Sequence, residues 1–207
     1  EADSETFFFA FSSNWQGEVL LRYNSLVFLD ATHNTCISLE DRHRKAFLCT
    51  LLVKHDTTGC GIPAAFMITN SETQRPLAKW LNWLREKYLM PLSLTIMIYC
   101  SATEIAAIES SFESPQIRLC HWHMLRALEK QVNSKIKLLV SLEQPITEIK
   151  RSAIQDFLGL MYTETIDKFG QIWREYSGKY RRHEECLRYL NENWLKHPEK
   201  WWSGNRA

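Results

Sequence analysis

Three strand-sized apolar runs, residues 26–30, 46–54 and 62–69, follow one another before any helical periodicity appears. The last two are joined by His55-Asp56-Thr57-Thr58-Gly59-Cys60-Gly61, and Asp with Gly at such a junction is hairpin chemistry. Consecutive antiparallel strands are therefore expected. From Ser71 the period changes. Leu77, Trp80, Leu81, Leu84 and Tyr88 recur at helical spacing, with Ser71 placed to cap the helix and Glu72 in its first turn, where a carboxylate suits the helix dipole. A short buried strand at 94–98, a helix opening at Ser101 with Glu104 at capping-box spacing, and a strand at 116–120 complete this half. The expected fold class is α/β: a mixed sheet, its first three strands antiparallel and its later ones joined by strand-helix-strand crossovers.

After His121 the strands stop. Leu125, Leu128, Val132, Ile136 and Leu139 mark one helix, and Ile149, Ile154, Phe157, Leu158 and Met161 a second. Ile166, Phe169, Ile172 and Tyr176 mark a third, and Cys186, Leu187, Leu190 and Trp194 a fourth, with Pro145 and Gly178 as punctuation. Residues 1–124 are read as the sheet-bearing core and 125–207 as a helical region packed on it.

With 45% hydrophobic and 24% charged residues in 207, the chain is long enough for a sizeable core, and its composition excludes a disordered polymer. No apolar stretch approaches bilayer length, and the first five residues are acidic where a signal peptide is basic; a soluble, intracellular protein is expected, with no membrane partner. Six scattered cysteines make a disulfide framework improbable. Net charge is +1, yet ten Lys/Arg face thirteen Asp/Glu through Cys120, against fifteen and eleven after it. The basic excess of the C-terminal part points only weakly to an anionic partner, since a solvated helical surface of mixed charge gives the same count and is the simpler explanation.

The chemistry gathers at strand ends. Asp30 closes the run 26–30, where an apolar strand hands over to polar residues. The run 95–98 ends where a second acid is expected and offers Tyr99 and Cys100 instead.

The pattern Leu29-Asp30-Ala31-Thr32-His33-Asn34-Thr35, then Gly61-Ile62-Pro63-Ala64-Ala65-Phe66, then Cys120-His121-Trp122-His123, resembles the transposase domain of Mutator-like elements, over residues 19–202. That resemblance implies a ribonuclease H-like fold, a nuclear location and DNA as a partner. It also implies a pair of divalent ions, Mg²⁺ or Mn²⁺, held by a first-strand Asp, an Asp after the fourth strand and a Glu on a later helix. Asp30 matches the first acid, Cys120 and His123 match the family's Cys-x-x-His pair, and the helices after Met124 resemble its helical insertion. Tyr99 falls on the second acid. The third acid of the family follows a Trp-rich segment like 194–202, which places it beyond Ala207, and the chain is read as stopping before the last core helix.

Two-ion phosphoryl transfer needs several carboxylates around ions about 3.5–4 Å apart. One Asp does not supply them, and a phenol is neutral near pH 7. Glu104, one helical turn past the strand end, is the nearest substitute, though a capping role explains it as well. Asp30 also has an alternative use, bonding the backbone near Thr32 in a turn.

Cys120 and His123 could open a zinc site, but no second pair stands at finger spacing. His121 and His123 straddle Trp122 in strand-like alternation, which would send them to opposite sides of the sheet. Cys36 near His33 lacks an orienting third group for a thiol nucleophile. Trp80/Trp83 and Trp201/Trp202 read as packing residues. Lys179, Arg181, Arg182 and Arg188 form the densest basic cluster, and on one helix Arg181 and Arg188 would share a face suited to phosphate. No Gly-rich phosphate loop or Walker-type Lys is present.

The expected function is a transposase-derived domain that does not cut DNA, needs no cofactor, and serves DNA binding or self-association and assembly. The alternatives are a piece or variant of an active Mg²⁺-dependent transposase, and a protein-interaction module with no nucleic-acid role.

Overall fold

The three antiparallel runs form the middle of a six-stranded sheet in the computed structural model, which describes residues 6–37, 45–91, 93–137 and 145–205. In chain order the first of two compact units, Glu1–Leu119, contains β1 (Phe8–Phe11), α1 (Asn14–Arg22), β2 (Leu26–Ile37), β3 (Lys45–Lys54), β4 (Gly61–Thr69), α2 (Gln74–Tyr88), β5 (Thr95–Ile98), α3 (Ala102–Ser111) and β6 (Gln116–Leu119). The strands lie in the order β1-β4-β3-β2-β5-β6. β1, β4, β3 and β2 pair antiparallel; β5 and β6 run parallel to β2. The expected mixed α/β sheet is thus present, and α2 and α3 provide the crossovers that parallel strands require.

Two elements escape the sequence reading. β1 pairs with β4 at an edge of the sheet, and α1 follows it, opened by a capping box in which Ser13 and Gln16 bond each other's backbone N–H. The Ser13-x-x-Gln16 spacing was the available signal. Where α1 meets α2, Gly17 leaves room for the Tyr88 ring; a Cβ on Gly17 would stand 2.3 Å from it.

β2 also corrects the expectation. It does not end at Asp30 but continues to Ile37, with a bulge between Thr32 and Cys36. Pairing with β3 resumes beyond the bulge at Cys36 and Ile37, opposite Ala46 and Lys45, and so extends the strand past its apolar run. The β3–β4 hairpin is closed by His55 and Cys60, with Gly59 at φ 69°, a conformation glycine adopts freely. Pro63 sits at a register shift, where a missing N–H is tolerated.

Period-2 alternation divides the sheet into two faces. Val27 and Leu29 on β2, their β3 partners Val53 and Leu51, and their β5 partners Ile96 and Ile98 are all buried. Leu77, Trp80, Leu81, Leu84 and Tyr88, the helical set in the sequence, are the buried stripe of α2. Fully burying such a side chain contributes roughly 1.5–3 kcal/mol before entropy is subtracted. Phe28, Asp30, Thr50 and Leu52, of opposite parity, are only half-buried.

The second unit, Cys120–Ala207, holds α4 (His121–Lys135), α5 (Ile146–Met161), α6 (Ile166–Lys179) and α7 (Glu184–Asn193), followed by two short 3₁₀ turns. The four expected helices are therefore present, although Leu139 lies outside the described residues and α6 runs through Gly178. Trp201 is fully buried, stacked on Phe157 at 5.5 Å, and its indole N–H donates to the Trp194 carbonyl at 2.9 Å. Trp202 donates to the Thr163 carbonyl at 2.7 Å. Trp201 and Trp202 are packing residues with satisfied polar tips, whereas the indole N–H groups of Trp80 and Trp194 are buried without a hydrogen-bond partner among the described residues.

Candidate functional site

The parallel ladder of β2 and β5 ends on the registered pair Leu29 and Ile98; Asp30 is the next residue on β2, and Tyr99 is the first residue past the end of β5. Tyr99, which the resemblance places on the second-acid position, is therefore abreast of Asp30. Asp30 lies within a strand and not in a turn, and its carboxylate accepts from the Thr32 hydroxyl at 3.5 Å, a long contact. The alternative use for Asp30, a turn closed onto its own backbone, does not hold.

Beside these strand ends opens a cavity of about 270 Å³. Its floor is the buried face of the sheet, with Leu29 and Ala31 from β2, Phe47 and Cys49 from β3 and Met67 and Thr69 from β4. Its rim comes from the approach to α2, Ser71 to Thr73, and from Tyr99 to Glu104 at the entry to α3. Sequence reasoning missed the floor residues. Their signal was alternation: Phe47, Cys49 and Leu51 share a parity that register then carries to Met67 and Ala31.

The N-terminus of α2 differs from the expectation. Thr73 is the capping position, while the Ser71 hydroxyl accepts the Thr73 N–H at 3.3 Å, so Glu72 precedes the helix and lines the cavity. Pro76 in the first turn lets the helix begin there, since its missing N–H has no intrahelical partner to lose.

Glu104, the nearest substitute acid in the sequence, lines this cavity. Ser101 does cap α3, its hydroxyl accepting the Glu104 N–H at 3.3 Å. The carboxyl, however, makes no reciprocal cap; it turns inward, the residue is 6% exposed, and Oε2 is buried without a hydrogen-bond partner. Burial, and secondarily the charge of Asp30, pushes its pKa up to about 8, so it holds its proton past neutrality. The same carboxylates and burial push the Cys49 thiol up to about 12, which makes it an inert thiol. Asp30 and Glu104 thus sense each other electrostatically, yet only Glu104 lines the cavity.

The other candidates are dispersed. Cys120 and His123 do not lie on a strand; β6 ends at Leu119, and His121, Trp122 and His123 form the first turn of α4. His121 meets the Trp201 carbonyl at 2.6 Å, and Trp122 is exposed. Strand alternation therefore does not apply to the two histidines, because the helix dictates a different spacing of side chains. The side chains of His33 and Cys36 lie outside the described residues. Lys179 is engaged by Asp156 at 2.7 Å. Arg181 and Arg182 occupy the turn between α6 and α7, and α7 starts only at Glu184, so Arg181 and Arg188 do not share a helix face. Among the described residues, no three His, Cys, Asp or Glu side chains come together as metal ligands. No helix among them is long and apolar enough to cross a membrane.

The fold and site define an α/β domain with a mixed six-stranded sheet and a carboxyl-bearing cavity beside its parallel strand ends. Comparison of the sequence with protein-family models and with curated proteins finds no match.

Proposed function

We propose that this chain is a transposase-derived ribonuclease H-like domain of the Mutator-like kind that does not cut DNA and acts, in the nucleus, through DNA binding or assembly. The observation that carries the reading is the placement of Asp30 and Tyr99 side by side at the ends of the central parallel pair. The strand order supports it, with an antiparallel β2-β3-β4 meander followed by two parallel crossovers on the other side of β2. The donor chemistry does not fit a pair of divalent ions. The residue abreast of Asp30 is a phenol and not a second acid, Glu104 holds its proton up to about pH 8, and Asp30 does not line the cavity that Glu104 lines.

A second reading, an interaction module without a nucleic-acid role, is favoured by a specific feature. Phe7, Phe9 and Phe11 are 55%, 56% and 40% exposed beside the edge strand, with Phe11 stacked on Phe66 at 5.2 Å. A net charge of +1 also gives little general pull on phosphates.

Fluorescence anisotropy on a labelled DNA duplex across a salt series separates the two. DNA binding predicts affinity that falls steeply with salt; no binding even at low ionic strength removes DNA as a partner. Supercoiled plasmid incubated with Mg²⁺ or Mn²⁺ should remain intact. Nicking by the purified chain would overturn the non-cutting assignment and leave the third reading, an active transposase represented by this sequence.

A further inference from the structure

We propose that β1 is a self-association edge, at which two copies of this chain pair antiparallel about a two-fold axis through Phe9 and join their sheets. The inference rests on the assembly reading above and deepens it, naming the partner as a second copy and the surface as residues 7–11.

Exposure is the first observation. Phe8, at 37%, joins Phe7, Phe9 and Phe11 in an apolar run that faces water. Isolated exposed apolar side chains are ordinary, whereas consecutive ones on a strand mark an interaction surface. Phe9 and Phe11 lie 5.6 Å apart, and Phe11 stacks on Phe66, so these rings already order one another and have little rotamer freedom to lose on association.

The backbone is the second. β1 stands at one end of the strand order, and among the described residues no strand lies on its outer side. Phe7 turns its backbone toward β4: its carbonyl accepts the Asn70 N–H at 3.3 Å, and its own N–H donates to the Asn70 side chain at 2.8 Å. Alternation along the strand then points the N–H and C=O of Phe9 and Phe11 toward β4 as well, and those of Phe8 and Ala10 away from it. Sheet edges are commonly blunted by charge, proline or a bulge. Residues 7–11 contain neither charge nor proline, and the register of β1 with β4 is unbroken.

These features select a second copy as the occupant. With Phe9 opposite Phe9, Phe8 of each copy meets Ala10 of the other, and the two exchange both backbone bonds. The same register sets Phe7 against Phe11 on the face that carries Phe9, so every cross-strand pair on that face is aromatic. The strand is thus complementary to itself, and a two-fold uses up both edges at once, which stops growth at the dimer. A charged peptide would find no counter-charge along the strand. At about 200 Å² per phenylalanine the four rings expose roughly 400 Å² per copy. Two copies with their backbone edges reach about 1,000 Å², near the lower limit of specific interfaces, so a weak, concentration-dependent dimer is expected.

Sedimentation velocity of the whole chain, from micromolar to several hundred micromolar, tests this. The mass should rise from 24.4 kDa toward twice that value and no further. Ala10→Pro removes an outward N–H that β4 does not use and should weaken association at least tenfold. Phe9→Lys sets like charges opposite each other on the axis and should abolish it over this range. Circular dichroism checks that both variants keep the fold. Cross-linking tests the register without either variant. Phe9→Cys brings two thiols within disulfide reach across the axis, whereas Phe11→Cys faces Phe7. Under a mild oxidant only Phe9→Cys should form a covalent dimer above the background of the unmodified chain, whose Cys60 is exposed.

A dimer that survives both Ala10→Pro and Phe9→Lys, or cross-links equally through either cysteine, overturns this surface and leaves assembly standing elsewhere on the molecule. A monomer throughout the range overturns the proposal together with self-assembly, and leaves the edge to a partner of other sequence. Mass that climbs past the dimer overturns the two-fold. DNA binding is decided separately, by the salt series.

Discussion

Asp30 and Tyr99 stand abreast, each one residue past the last registered pair of the parallel ladder that joins β2 to β5. That level offers one carboxyl and one phenol, where a hard divalent ion prefers several carboxylate oxygens. Tyr99→Asp restores the second charge. The expected outcome is measurable Mn²⁺ binding by calorimetry in the variant, at least tenfold tighter than in the unmodified chain. Equal Mn²⁺ affinity in both proteins would show that the Asp30 level is not an ion site at all.

Glu104 gives a pH signature. Its pKa in the folded protein is raised to about 8 from an ordinary value of 4.5. Between those values the folded state holds a proton that the unfolded state has lost, so the contribution of Glu104 to stability is fully present below about pH 4.5 and is lost as pH rises toward 8. The slope is roughly 1.4 kcal/mol per pH unit in that window. Glu104→Gln keeps the shape and removes the titration. Urea unfolding at pH 5 and pH 8 should show a smaller difference in the variant, which becomes the more stable protein at pH 8.

The junction of α1 and α2 depends on the absence of a side chain at Gly17. A methyl group there collides with the buried ring of Tyr88, whose hydroxyl donates to Ser12 at 3.1 Å. Gly17→Ala therefore loses about 1–3 kcal/mol to overpacking, more than the helix propensity of Ala returns. A midpoint in denaturant equal to or above that of the unmodified chain would refute this.

In the helical unit, Asp156 accepts two bonds at 2.7 Å, from the buried Tyr180 hydroxyl and from the exposed Lys179 ammonium. Their contributions differ because their surroundings do. Asp156→Ala strands the phenol and should reduce stability by about 1–3 kcal/mol. Lys179→Met, which removes only a solvent-screened charge pair, should change it by less than about 1 kcal/mol. Chemical unfolding of the two variants side by side checks the ranking.

Much of the architecture was legible before any coordinates. The apolar stripe of α2 is the periodic set Leu77 to Tyr88, and the β3–β4 hairpin turns at the expected Asp- and Gly-containing segment. β1 escaped because its phenylalanines are largely exposed and become a strand only by pairing with β4. Asp30 was visible as an acid at the end of an apolar run. That β2 continues past it was not, because the partner backbone that extends the strand comes from residues 45 onward.

Local sequence determined where helices and strands begin and what spacing their apolar residues keep, since caps, turns and amphipathic period act within a few residues. Only tertiary structure decided that Glu104 turns its carboxyl inward, that Cys49 and Met67 floor a cavity, and that Arg181 parts from Arg188. Those outcomes depend on groups distant in sequence meeting through register and on which oxygen is left without a donor, and no window along the chain contains both partners.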